Sequence, residues 1–292
     1  VVLVLEDLHW ADPSSIELLI RLLPLVNAAP VLFCFAIRPD REAPGWKLVG
    51  AAREQLGNSL AEITLSALSD EQSRQLVANL LAIEALPDDL RSLILKKAEG
   101  NPYYVEEIIR MLIERGAIMP HQGGWTAGAG LGSVVIPDNL QGLLMARIAR
   151  LPDESRRTLR VASVVGRQFP VRVLEQVLGE QAVEGGGAIG VLSSLENAGM
   201  LRLATLEPEL EYLFQHSLVQ EAAYASLLTN DRKQLHLAVG KAVERLYPDR
   251  LQENAAILAR HYSEAGKEKQ ALHYFILAGK SGIDCYCNQE AE

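Results

Sequence analysis

The chain opens on an unbroken apolar run, Val1-Val2-Leu3-Val4-Leu5, closed at once by Glu6-Asp7. A short run of this kind, without alternation, predicts a strand buried on both faces of a parallel sheet. Asp12-Pro13-Ser14-Ser15 then has the signature of a helix start, with Asp12 as N-cap and Pro13 at the first helical position. Ile16, Leu19, Ile20 and Leu23 follow on one helical face. Residues 31–37 read as a second buried strand, ended by Arg38-Pro39-Asp40, and residues 61–65 as a third, shorter one. Strand–helix–strand with apolar strands predicts an α/β layer with a right-handed crossover over residues 1–66.

From residue 67 the period changes to that of helices. Ser69 and Gln72 have capping-box spacing, and Leu76, Val77, Leu80 and Leu81 follow at helical intervals. A second helix is expected over 87–99, stopping at Gly100. A third starts at Asn101-Pro102, carries Val105, Ile108, Ile109, Leu112 and Ile113 on one side, and stops at Gly116. Residues 117–136 form a glycine-rich connector, with a hairpin around Gly123-Gly124. Over 137–215 the pattern predicts helices at 138–151, 153–165, 171–178 and 189–198. A hairpin from 200–203 and 211–214, turning at Glu207-Pro208, completes a winged-helix-like region. Residues 216–292 read as all helix. Here 255–265 and 267–278 form an antiparallel pair about Gly266, and Ala259, His261, Tyr262, Ala265, Ala271 and Tyr274 supply the small and aromatic contacts of a helical repeat. One such pair cannot bury its faces alone, so further repeats are expected. The expected fold is mostly α, with an incomplete α/β portion, a helical lid over 67–116, a winged helix, and TPR-like repeats.

Composition narrows the functional classes. With 28 Lys+Arg against 37 Asp+Glu the net charge is −9, which disfavours a general nucleic-acid binder. Over 137–207 eight Arg and no Lys face eight Asp+Glu, and the helix expected to read a groove, 189–198, carries only Glu196 as a charge. Nucleic acid is therefore not an expected partner of this segment. No apolar run reaches a membrane span. Cys34, Cys285 and Cys287 have no metal spacing and suit a reducing, cytoplasmic compartment. The six histidines form no H-E-x-x-H.

The chemistry-bearing residues are Glu6 and Asp7. Adjacent carboxylates at the carboxyl end of a parallel strand stand where open α/β sheets bind ligands, and can hold Mg²⁺ and position water. Arg38, ending the next strand, offers a fixed guanidinium to phosphate oxygens. Asn101-Pro102 presents a helix N-terminus. His9 and Trp10 are expected to pack the strand-to-helix turn, and Tyr103 and Tyr104 to lie half in the core or against a base.

The string Leu3-Val4-Leu5-Glu6-Asp7-Leu8-His9-Trp10-Ala11-Asp12 resembles the Walker B region of the STAND class of AAA-related signalling ATPases. These are found fused to class III adenylyl and guanylyl cyclases, serine/threonine kinases and LuxR/MalT-type regulators. Phe35-Ala36-Ile37-Arg38-Pro39 is similar to the strand whose terminal Arg senses the γ-phosphate. Leu68-Ser69-x-Glu71-Gln72 resembles the start of the lid, and Glu99-Gly100-Asn101-Pro102-Tyr103-Tyr104 the G-x-P motif whose Pro packs near adenine. Phe214-Gln215-His216-x-Leu218-x-Gln220 and Tyr224 resemble the link from winged helix to repeats. The resemblance implies ATP and Mg²⁺ as cofactors, with Glu6, Asp7 and Arg38 as catalytic residues. Glu6 and Asp7 would be metal ligands, and Arg38, Asn101 and Pro102 nucleotide contacts. It leaves open which carboxylate meets the metal, since Glu6 stands where Asp is commoner. A fused effector domain and proteins docking on the repeats are the implied partners. The family also needs a G-x-x-x-x-G-K-[ST] loop, and no such string occurs in the 292 residues. The expectation is therefore an internal piece of a longer protein. Its sheet, of family order 5-1-4-3-2, would lack the strand between 31–37 and 61–65, and the piece would bind ATP weakly or not at all. A DNA-binding LuxR/MalT-type regulator and a helical-repeat adaptor are the alternatives.

Overall fold

The computed structural model describes residues 1–81, 88–121, 124–128, 135–179 and 187–286. They fall into two compact units, Val1–Ser66 and Ala67–Glu292.

In the first unit, β1 (Val2–Leu5) leads through one tight turn (Leu8–Trp10) to α1 (Pro13–Leu22) and the short α2 (Leu25–Ala28). β2 (Leu32–Phe35) and α3 (Gly45–Leu56) follow. Asp12 caps α1 as its sequence requires, its carboxylate accepting from the Ser15 amide (3.0 Å) and hydroxyl (2.6 Å). β1 and β2 pair in parallel with Val2 opposite Leu32 and Leu5 opposite Phe35. Leu8, Ile16, Leu23, Leu48 and Ala52 form the core of this unit, with Leu5, Phe35 and Ile37 packed against it.

Three features depart from the sequence reading. β1 is not buried on both faces: Val2, Leu3 and Val4 are 63, 43 and 60% exposed, because among the described residues the sheet has two strands and the helices cover only the side on which Leu5 lies. Residues 61–65 pair with no strand among the described residues. Their apolar alternation is present, but Ile63 and Leu65 point to solvent, and Glu62 is fixed by a bidentate pair with Arg53 (2.7 Å) rather than by a ladder. Helix α3, unanticipated, packs Leu48 and Ala52 on the core, and Gly45 at its start lies so close to the turn that a Cβ there would be 2.4 Å from the Leu8 carbonyl oxygen.

The second unit is helical with small hairpins. α4 (Asp70–Leu81), α5 (Asp88–Ala98) and α6 (Pro102–Glu114) precede a hairpin of β3 (Ile118–His121) and β4 (Gly124–Ala127). The Gly123 of the expected turn lies outside the described residues. The Ser69–Gln72 capping box forms in both directions, at 2.9 and 3.2 Å. Val77, Ile94, Val105, Ile108 and Leu112 build the first core here.

Next come α7 (Leu140–Arg150), α8 (Asp153–Val165), β5 (Gln168–Pro170), α9 (Val171–Leu178), α10 (Gly187–Asn197), β6 (Leu201–Thr205) and β7 (Glu211–Phe214). The three strands form an antiparallel sheet in the order β5-β7-β6 around Phe169 and Phe214. α11 (Ser217–Ala225) closes this core with Val219, Ala222 and Ala223.

α12 (Thr229–Leu246), α13 (Ala255–Glu264) and α14 (Glu268–Tyr286) form the last layer. Tyr262 and Tyr274 stack at 5.7 Å across the α13–α14 pair, above Gly240, where a Cβ would be 3.1 Å from the Tyr262 ring. The fold is thus mostly helical with small sheets. Among the described residues no helix is long and apolar enough to cross a membrane. Cys34 is a free, exposed thiol; Cys287 and residues 288–292 lie outside the described residues.

Candidate functional site

The parallel ladder persists one step past both strands: the Ala36 amide donates to the Leu5 carbonyl (2.9 Å) and the Leu8 amide to the Ala36 carbonyl (3.2 Å). Glu6 and Asp7 therefore leave β1 at the edge where Ile37 and Arg38 leave β2. The chain must then turn sharply to send Leu8 into the core. It does so at Asp7, whose φ of 57° and ψ of 31° are left-handed, a region that Asp tolerates better than most residues. The turn closes with the Trp10 amide donating to the Asp7 carbonyl (3.0 Å). Asp7 is left half-buried and Glu6 exposed. Backbone strain of this kind concentrates at ligand sites, where surrounding packing holds it.

Trp10 emerges from the turn 65% exposed, with the Arg38 guanidinium 5.6 Å from its ring centroid, within cation–π range. The indole is thus a platform for Arg38 rather than turn packing. His9 takes the packing role instead, 4.5 Å from the Trp10 ring, with both ring nitrogens buried and without a hydrogen-bond partner among the described residues. The structure brings Glu6, Asp7 and Arg38 to one edge. Two hard carboxylates beside a guanidinium suit Mg²⁺ with a phosphate, since Mg²⁺ takes one or two carboxylates and completes its shell with water and phosphate oxygen. The donor set fits that use and no all-protein cage: among the described residues no group of three or more His, Cys, Asp or Glu could hold a metal ion.

Asn101 and Pro102 lie in the second unit. Gly100, at φ 75°, turns the chain, and its carbonyl accepts from the Leu68 amide (2.8 Å). Asn101 then caps α6 by accepting from the Tyr104 amide (3.2 Å), with Pro102 at the first helical position. Both side chains are exposed. Tyr104 is core, its hydroxyl donating to the Pro137 carbonyl. Tyr103 lies tilted against His216, with ring centroids 3.8 Å apart, and burial pushes its hydroxyl above the usual tyrosine range. Burial likewise holds the His216 imidazole below its ordinary value.

Two buried polar clusters were not foreseen as clusters, although His261 was expected among the contacts of the helical repeat. Arg147, 3% exposed, donates to Glu107, to Glu114 (3.0 Å) and to the Ala198 carbonyl (3.0 Å), which also accepts from Arg110. His236 and His261, 2 and 1% exposed, meet through their Nδ1 atoms at 2.9 Å, and Tyr224 Oη lies 3.0 Å from His236 Nε2. One signal was available: each polar residue falls on an apolar helical stripe, Glu107 between Tyr104 and Met111, Arg147 four after Leu143, His261 three after Leu258.

Residues 69–124 match a domain of unknown function (DUF8739). The chain is 26% identical over 290 residues to an uncharacterized protein of Rhizobium meliloti (strain 1021), covering 96% of this chain and 26% of that protein. It therefore spans about a quarter of the length of this relative. Among solved structures, it is similar to a signal transduction ATPase with numerous domains (STAND) with a tetratricopeptide repeat sensor from Pyrococcus horikoshii. The TM-score is 0.54 and the identity 13%, over 94% of this chain and 35% of that one. At that identity the likeness establishes the fold, and the fold of these residues is that of the corresponding part of the Pyrococcus protein.

Proposed function

We propose that these residues belong to an ATP-binding signal-transduction ATPase in which nucleotide state switches domain packing and so regulates a linked effector such as a cyclase, a kinase or a transcription regulator. The observation that carries the reading is the strand-edge constellation: Glu6 and the strained Asp7 ending β1, beside Arg38 from parallel β2, its guanidinium over Trp10. In this reading the direct pairing of β1 with β2 is the family's pairing of the Walker B and sensor strands. Mg²⁺ would be held by Glu6 and Asp7, where it supplies charge neutralisation for the phosphates. One carboxylate orients the attacking water, and Arg38 donates to the terminal phosphate. Asn101 and Pro102 belong to the base side of the nucleotide. The order α8-β5-α9-α10-β6-β7 is that of a winged helix, and α13–α14 is the first TPR-like pair, offering a partner the exposed Leu272, Phe275 and Ile276.

A DNA-reading role for that winged helix is disfavoured. Its would-be recognition helix α10 has one charged side chain, and that one, Glu196, is spent accepting from the Leu203 amide at 3.1 Å.

The test is Mg-ATP affinity and turnover of the longest polypeptide encoded by the reading frame that contains these residues, with Glu6→Gln and Asp7→Asn. Turnover should fall by about 10²-fold or more, the scale for removing a positioned acid–base group, with the circular dichroism spectrum unchanged. Unchanged affinity and turnover in the double variant would overturn the assignment and leave the adaptor reading.

A further inference from the structure

The C-terminal ends of α6 and α7 converge on a half-open cavity of about 260 Å³, lined by Glu114, Arg147, Arg150, Pro152 and Met200 among others. Two guanidiniums line it, Arg147 and Arg150, and Arg115, at the end of α6, is close enough to Arg150 to feel its charge. The Nε–H groups of Arg115 and Arg147 are both buried without a hydrogen-bond partner among the described residues, although buried donors are nearly always satisfied. Arg150 makes no hydrogen bond or ion pair among the described residues. It is not needed to cap α7 either, because Arg156 already donates to the Ala149 carbonyl at 2.9 Å while pairing with Asp153. The facing carboxylates are Glu107 and Glu114, both engaged by Arg147, with Arg110 3.9 Å from Glu107. Both carboxylates are thus met by Arg147, Glu107 also by Arg110, and neither is paired with Arg115 or Arg150 among the described residues. Burial, followed by the charge of Arg150, holds Arg115 below its ordinary range, as expected where like charges meet without a counter-ion.

We propose that this cavity is a binding site for a small oxyanion, a phosphate or carboxylate group, received by Arg150 against the fixed wall of Arg147, with Arg115 beside Arg150. An oxyanion accepts from orphaned Nε–H groups and relieves the Arg115–Arg150 repulsion in one step, and planar guanidiniums match its oxygens. The volume lies just under the roughly 300–1,000 Å³ of pockets for drug-sized ligands, which suits a small group. The site is built wholly from residues of the second unit, whereas Glu6, Asp7 and Arg38 belong to the first. It is also separate from Asn101-Pro102, which lie at the other end of α6, about 18 Å away at roughly 1.5 Å per residue.

The experiment titrates the 292-residue protein by calorimetry with sodium phosphate and, separately, with sodium succinate, at constant ionic strength set with sodium chloride. Saturable binding of phosphate or succinate is expected, and which one saturates identifies the oxyanion class. Arg150→Gln and Arg115→Gln should each weaken it by about tenfold, roughly the value of one charge-assisted contact, with melting curves matching the parent because neither guanidinium holds a carboxylate. Arg21→Gln, at the exposed Arg21–Glu17 pair of α1, should leave it unchanged. Absence of saturable binding with both anions, parental affinity in Arg150→Gln, or loss of binding in Arg21→Gln would each overturn the proposal.

Discussion

The two units divide labour in opposite ways. The first holds the strand-edge carboxylates and Arg38 on a thin scaffold whose apolar strands are largely exposed, with Glu6 and Arg38 at the surface and Asp7 half-buried. The second buries charged and imidazole groups inside continuous apolar cores and spends them on one another. An exposed guanidinium costs little to hold and can be given to a ligand. A buried one is committed, because its partner would be stranded without it. The exposed polar residues of the strand edge should therefore report on ligands, and the mutually paired buried ones of the second unit on stability.

The sharpest way to break that contrast is Arg147→Met. It leaves Glu107 buried, and about 3–5 kcal/mol of unfolding free energy should be lost in urea titrations. The double variant Glu107→Leu/Arg147→Met should regain most of it, since both charges leave together. Next is Gly100→Ala: at φ 75° a Cβ would stand 2.5 Å from the Leu68 carbonyl oxygen, so a loss of about 2–3 kcal/mol is expected in the same titrations.

The histidine pair sharpens the comparison through pH. Burial first, then the neighbouring His236 and Arg260, takes His261 from 6.5 down to about 3. Burial also lowers His236, faced by Glu264, Arg260 and Arg232. The contact requires one Nδ1–H and one bare Nδ1, so a pair with both rings protonated cannot make it. Both folded values lie below the unfolded one, so this stability is complete above pH 6.5. It is lost as pH falls from there toward about 3, where the unfolded chain takes protons that the folded one refuses. Thermal melts across that window should steepen with acid in the parent and less so in His261→Asn. The smallest effect is expected at Asp12→Ala, where a lost N-cap should cost about 1 kcal/mol, confined to the first unit.

How far these contrasts could be foreseen depends on range. Local chemistry was legible: Asp12, Ser69–Gln72 and Asn101 each cap the helix their sequence announces, because a cap needs only the next three residues. The strand edge was legible too, since Glu6, Asp7 and Arg38 end apolar runs. Helix α3 was not, as Pro44, Gly45 and Gly50 read as breakers, whereas Gly45 serves a close approach to the Leu8 carbonyl. Residues 61–65 carry strand alternation, but a ladder depends on a partner that alternation cannot specify. The engagement of Arg147 with Glu107 and Glu114 joins residues 33 or more apart, and no local rule pairs them.

Asp7 carries two roles in one residue: its backbone bends the chain so that Leu8 reaches the interior, and its carboxylate is one of the two proposed for the metal. Mutational arithmetic at this position is consequently conditional on the replacement. Asn keeps the bend and removes the charge, whereas Ala disfavours the bend as well, so an alanine scan would credit electrostatics with damage done by geometry.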